Sequence, residues 1–332
     1  MSISRRTFLA ASATTLALPA LGAFRPRRAD TFYLWTEVAP GLWAGQVRTG
    51  DNMAVLGGNS LLAVDKDGSL LIDTMQTVLG PALRREALGK TGTITHVLNT
   101  HHHFDHAGGN AVFTPDCTVI GHSKCRERLM DGKTMVAQFD QKIAAIEGLG
   151  IDGATAAAAD ARAFKSSLAD LKPDAFACTK TQDTDKALDL AGRKVNVYHV
   201  GPGHTDNDLF VYFPKENVLV TGDLVFNGYH AFYDASAKPT SVGWQTSLRR
   251  AHELCDAKTV VVPGHGEVAD RAAITRQIEY FDKARDFVAA AMKAGETRDE
   301  VAAMTLPGYE AYKLKVAQGY LMGGLFDELS QK

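Results

Sequence analysis

The run Thr100-His101-His102-His103-Phe104-Asp105-His106 packs four imidazoles and a carboxylate into seven positions. It follows at once on Ile94-Thr95-His96-Val97-Leu98-Asn99, whose apolar character predicts a buried strand. The chain must therefore adopt a fold in which a core strand ends in a loop crowded with metal-ligand side chains. Imidazole and carboxylate are donors that borderline metals such as Zn²⁺ accept. At spacing two, His101, His103 and Asp105 are expected to point to one side of the loop, and His106 to the other. Gly108-Gly109 then allow a helix to start close against it.

Three later segments repeat the design. Gly201-Pro202-Gly203-His204 follows an apolar run over 195–200. Thr221-Gly222-Asp223 follows one over 218–220, and Pro263-Gly264-His265 follows one over 259–262. Each predicts a strand that delivers one His or Asp through a turn. Four strand ends from distant parts of the chain imply one shared edge where these residues converge.

The remaining pattern supplies the scaffold. Ser60–Val64 and Ser69–Asp73 flank Asp65-Lys66-Asp67-Gly68, a hairpin signal. A helix is expected over 79–88 and short strands at 119–120 and 209–213. An alanine-rich helical segment is expected over about 122–170, and a long helix over 269–292 with two more helices after it. The order β-rich, α, β-rich, α predicts a layered α/β domain with helices outside two sheets. With 332 residues, 45% of them apolar, the chain can bury a sizeable core. Residues 31–332 read as a single domain, with a helical insertion at about 122–170 and C-terminal helices over about 269–332.

Residues 1–30 are set apart. Arg5-Arg6 stand directly before an apolar stretch from Phe8 to Leu18, and Ala20-Leu21-Gly22 follows. This predicts a twin-arginine export signal, too short to span a bilayer at about 20 residues. The expectations are the twin-arginine export machinery as a partner, a periplasmic or secreted destination and no stable membrane anchor. The net charge of −2, without a basic run, argues against nucleic acid as a partner. The four cysteines, Cys117, Cys125, Cys178 and Cys255, form no Cys-x-x-Cys pair. They read either as disulfide partners, which sequence cannot assign, or as buried thiols.

With these residues in view, the chain resembles the metallo-β-lactamase superfamily. Its signature is His-x-His-x-Asp-His, then a downstream His, an Asp and a final His. The matching positions are His101, His103, Asp105, His106, His204, Asp223 and His265, and the resemblance spans about residues 40–270. It implies an αββα four-layer sandwich with two zinc ions at one sheet edge, iron or manganese being alternatives. His101, His103 and His204 would hold the first ion, Asp105, His106 and His265 the second, with Asp223 bridging. Asp73 matches an acid that orients ligands from behind. Thr205 and Asp206 fit either that role or plain turn chemistry. His102 is expected to face away from the metals.

The resemblance further implies a hydrolase whose metal-bridging hydroxide attacks an ester, thioester, lactone or amide-type bond of a small molecule, since bound Zn²⁺ lowers the pKa of water from about 16 to near 7. Asp105 would orient that nucleophile and shuttle a proton. Asp at 223 is similar to the thioesterase (glyoxalase II-like) and lactonase branches. The best-known true β-lactamases carry Cys there and Lys three residues on, where this chain has Phe226. The turns at 201–205 and 262–267 nevertheless look like the β-lactamase branch. Phe226, Tyr229, His230 and Phe232, with part of the helical segment at 122–170, are expected to wall the substrate pocket. Alternative readings are β-lactamase activity, a mononuclear iron persulfide dioxygenase and a non-catalytic metal-binding protein.

Overall fold

The computed structural model describes residues 31–48, 52–130, 132 and 134–331. The twin-arginine segment expected at 1–30 lies outside them. Two sheets face each other. The first contains β1 (Leu34–Ala39), β2 (Leu42–Gln46), β3 (Ser60–Asp65), β4 (Gly68–Ile72), β5 (His96–Leu98), β6 (Thr118–Gly121) and β7 (Lys180–Thr181), in that order. Its pairs are antiparallel from β1 to β4 and parallel from β4 to β7. The second contains β8 (Lys186–Leu190), β9 (Arg193–Tyr198), β10 (Phe210–Phe213), β11 (Val218–Phe226), β12 (Val260–His265) and β13 (Ala269–Asp270), ordered β13-β12-β11-β10-β9-β8. Only β11 and β12 run parallel there.

Helices cover both outer faces. On the first sheet lie α1 (Gly80–Thr91), the short α2 (Phe104–Ala107) and α3 (Asn110–Phe113), and α4 (Ser123–Leu129), α5 (Phe139–Glu147) and α6 (Ala154–Lys165). On the second lie α7 (Ser241–Leu254), α8 (Arg271–Ala294), α9 (Arg298–Ala303) and α10 (Lys315–Ser330). The expected αββα order is what the chain adopts. The helical segment at 122–170 packs, with α1, as the outer layer of the first sheet.

Side-chain alternation builds three apolar interfaces. Leu71, Val97 and Val119 point outward to the helices, while Leu70, Ile72, Leu98 and Ile120 point inward. Val218, Val220 and Val262 meet them from the second sheet, whose Leu219 and Val261 point to α7, α8 and α10. The 60–64/69–73 hairpin is β3–β4, and the expected strands at 119–120, 195–200, 209–213 and 259–262 correspond to β6, β9, β10 and β12. The long helix starts later than expected, at Arg271, because Asp270 caps it through the Ala272 N–H at 2.9 Å. All four cysteines are buried thiols; Cys125 Sγ and Cys178 Sγ lie 3.8 Å apart. No helix among the described residues is long and apolar enough to cross a membrane.

Candidate metal centre

The histidine run leaves β5 and winds into α2 at His103, the residue just before that helix. This turn corrects one expectation. Asp105 does not share a side with His101 and His103; it swings with His106 toward His265. The result is two groups. His101, His103, His204 and Asp223 place one ligand atom each within 4.8 Å of one another, and so do Asp105, His106 and His265.

Asp223 stands between the groups. Its Oδ2 lies 3.8 Å from His101 Nε2 and 3.5 Å from His204 Nε2. Its Oδ1 lies 2.9 Å from His106 Nε2 and 3.3 Å from His265 Nε2. It reaches this position from within β11, which runs on to Phe226 instead of stopping at Val220. The strand buckles at Gly222, where the pairing with β12 shifts register and φ is +50°. A Cβ there would press on Thr100, so only glycine lets the strand pass the histidine loop.

The groups also touch directly. His103 Nδ1 is 2.9 Å from His204 Nε2, and His106 Nε2 is 3.4 Å from His265 Nε2. His101 Nε2 is buried with no hydrogen-bond partner. Imidazole nitrogens turned toward one another and an orphaned buried nitrogen are costly unless something binds them. A divalent cation would satisfy such nitrogens, and the His/Asp donor set without Cys would suit zinc or a similar metal.

Acidic residues hold the imidazoles from behind. Asp73 accepts from the Thr100 N–H at 2.8 Å and hydroxyl at 2.7 Å, and its Oδ2 lies 2.8 Å from His106 Nδ1. It does so with φ at +60°, a strained conformation for a non-glycine residue. Asp234 Oδ2 lies 3.1 Å from His103 Nε2. Asp208 binds the Thr205 N–H and hydroxyl, bracing the His204 loop. Thr205 and Asp206 thus serve the turn: Asp206 pairs with Arg128 at 2.9 Å. His102 turns to Asn207, with Nδ1 3.1 Å from Asn207 Nδ2, although His102, His103 and Asp234 also form a close triplet.

Electrostatics divide the centre. Burial holds His101 well below the ordinary imidazole range, and it takes His204 down to about 3, helped by His103. Burial also opposes charge on His106 and His265, but Asp223 and Asp105 outweigh it, lifting His106 well up and His265 to about 9. The carboxylate-rich half therefore favours positive charge, and the histidine-rich half presents neutral donors.

A cavity of about 280 Å³ opens on the centre. His103, Asp105, Asp223, Asp234 and His265 line it, together with Met53, Leu56, Phe104, Phe226, Phe232 and Leu314. Phe226 stacks on His265 with ring centroids 5.1 Å apart. Three expectations are corrected. Tyr229 lines a neighbouring cleft. His230 is fully buried behind the wall, its Nδ1 2.9 Å from Tyr280 Oη. The helical segment at 122–170 contributes no lining residue among those described. The cause is the chain near the C-terminus: Lys313 O accepts the His230 N–H at 2.9 Å, which seats Leu314 at the wall instead.

Sequence reading missed Asp234, Asp208 and two glycines. A Cβ on Gly58 would strike the His106 ring, and one on Gly264 the Asp223 carboxylate. The Gly57-Gly58 pair was a visible signal for close approach; Asp234, in an ordinary loop, carried none.

The pattern of the metallo-beta-lactamase superfamily matches residues 53–265, and so spans every residue of the two groups. The chain belongs to that superfamily. Among curated relatives of this metallo-hydrolase superfamily member, the "Probable metallo-hydrolase YqjP" of Bacillus subtilis (strain 168) is 28% identical over 212 residues, 59% of this chain and 61% of that protein. The "Metallo-beta-lactamase type 2" of Bacillus cereus is 29% identical over 92 residues, 28% of this chain and 36% of that one. The chain thus spans less than two thirds of either relative's length. Solved structures of the DIM-1 metallo-beta-lactamase and of a metallo-beta-lactamase from Pontibacter korlensis align with TM-scores of 0.53. They are 15% and 19% identical, covering 76% and 75% of this chain and 98% and 99% of theirs. At such identities the likeness is one of fold.

Proposed function

We propose that the protein is a dinuclear metal-dependent hydrolase that cleaves an ester, thioester, lactone or amide-type bond of a small molecule. The observation that carries this reading is Asp223, whose two oxygens face the two donor groups separately. His101, His103 and His204 would hold one ion, Asp105, His106 and His265 the other, with Asp223 shared. Bound there, two zinc ions supply Lewis-acid polarisation and lower the pKa of water from about 16 to near 7.

The chain's own residues do the rest. Asp105 reaches the cavity with Oδ2 3.2 Å from His265 Nε2, placed to take a proton from an attacking water and return it to the leaving group. Asp73 and Asp234 fix the rings of His106 and His103. Phe226, Phe232 and Leu314 exclude bulk water and seat the acyl portion. Twin-arginine export to the periplasm or beyond belongs to the same reading. The test is a panel of esters, thioesters, lactones and lactams given to purified protein of measured metal content. Turnover of one class, lost on chelation and restored by zinc, is expected; a metal-loaded protein that cleaves none would overturn the proposal.

A further inference from the structure

The cavity over the metal centre does not end at its apolar wall. His265 and Leu56 line it and also line a second cleft of about 560 Å³. The two limbs differ in chemistry. The inner one is walled by Met53, Phe104, Phe226, Phe232 and Leu314 around the donor residues and has no Lys or Arg among its lining residues. The outer one is lined by Gln46, Arg48, Asn59, Asn227, Glu267 and Lys313. Arg48 is committed to backbone, its Nε and Nη2 donating to Phe32 O at 3.3 Å and Thr31 O at 2.7 Å, whereas Lys313 has no carboxylate partner among the described residues.

One dipeptide serves both limbs. Lys313-Leu314 lies outside the superfamily span of 53–265 and reaches the site from the C-terminal region. Its placement is enforced. The Lys313 N–H donates to Gly228 O at 3.0 Å, and Lys313 O accepts from His230 N at 2.9 Å. Leu314 is held at φ +59°, which a branched side chain resists, and is buried against Leu56 and Phe232. Held strain of this kind points to a side chain kept in place for a purpose. Lys313 extends the other way, its Nζ 5.3 Å from the Tyr229 ring.

We propose that Lys313-Leu314 sets substrate specificity, selecting an amphiphilic ester or thioester whose apolar acyl group fills the inner limb and whose leaving group carries an anion into the outer limb. This rests on the hydrolase reading. Apolar acyl chains gain by leaving water against Leu314 and Phe232. A carboxylate or phosphate on the leaving group meets Lys313 past His265. Water adds to the carbonyl carbon, the bond to the leaving oxygen or sulfur breaks, and the products are the fatty acid and the anionic alcohol or thiol.

The test compares zinc-loaded protein on para-nitrophenyl octanoate and its ring-carboxylated counterpart. The carboxylated ester is expected to show a KM lower by about threefold to fivefold. Lys313→Ala removes that preference and Lys313→Arg keeps it. Leu314→Asn, which tolerates the left-handed backbone, raises KM for both octanoates by about tenfold and for the acetates far less. Equal KM values in the native protein, or a preference that survives Lys313→Ala, would overturn the proposal. If neither ester is cleaved, the wider panel of esters, thioesters, lactones and lactams decides the hydrolase reading, and calorimetric titration with the octyl ether of the carboxylated phenol judges the cleft separately. Binding weakened by Lys313→Ala and Leu314→Asn upholds it; no binding to the native protein overturns it.

Discussion

Asp234 Oδ2 lies 3.1 Å from His103 Nε2, while Nδ1 of the same ring lies 2.9 Å from His204 Nε2. The carboxylate takes the proton-bearing nitrogen and leaves the other lone pair aimed into the centre. Such partners fix both tautomer and ring orientation, and losing one costs about 10–100-fold in metal affinity or activity. The hydrogen bond from His103 in turn holds the Asp234 carboxyl far below its ordinary range. Asp234→Asn is therefore expected to weaken metal binding by about tenfold or more in a chelator competition titration. An unchanged affinity would show that the contact plays no part in ligation.

Gly58 gives a second test, by steric means alone. A methyl group there meets the ring of His106, which cannot yield because Asp73 holds its Nδ1 at 2.8 Å. Overpacking a site of this kind costs about 1–3 kcal/mol. Gly58→Ala is expected to fold with a lowered Tm and to lose the ion of the Asp105, His106 and His265 group, falling toward one metal per chain. A variant that keeps two equivalents would show that His106 can relocate.

His230 offers a pH test away from the metal centre. Burial and the charge of Lys315 take its pKa down to about 4. An unfolded chain binds that proton below about 6.5. The native state resists protonation, so the contribution to stability is complete above about pH 6.5 and is lost as pH falls toward 4. Denaturant unfolding of His230→Gln between pH 7 and 4 is expected to show a shallower loss of stability than the native protein. Parallel curves would contradict the assignment.

The layers and the donors were legible in the sequence, for different reasons. Leu70, Leu71 and Ile72 read as an unbroken apolar run because β4 is covered on both faces, and His101 and His204 sit in turns after apolar runs, whereas His265 ends β12 itself, which runs on past the expected 262. The path of the chain between donors was less legible. Nothing local says that His103 begins a helical turn, so spacing alone puts Asp105 on the side of His101 and His103, whereas the family pattern groups it with His106 and His265, as the structure does. Nor does local pattern show that β11 continues through Gly222 to Phe226, because that extension depends on parallel pairing with β12, distant in sequence. The pocket wall was misread at His230 for the same reason: Leu314 takes the position through bonds from Lys313 to Gly228 and His230 that only the folded chain creates.

The proposed twin-arginine export makes its own prediction. Arg5→Lys with Arg6→Lys is expected to leave the protein in the cytoplasm, because a twin-arginine leader is read through that pair. Fractionation followed by immunoblotting checks it. Normal appearance outside the cytoplasm would remove the twin-arginine reading and leave the metal centre untouched.

The most direct test of the proposed dinuclear centre is metal analysis of the purified native protein beside Asp223→Ala. One carboxylate between two donor groups predicts two metal equivalents per chain in the native protein and one or fewer in the variant. Two tightly held equivalents in Asp223→Ala, or none in the native protein after zinc loading, would contradict it.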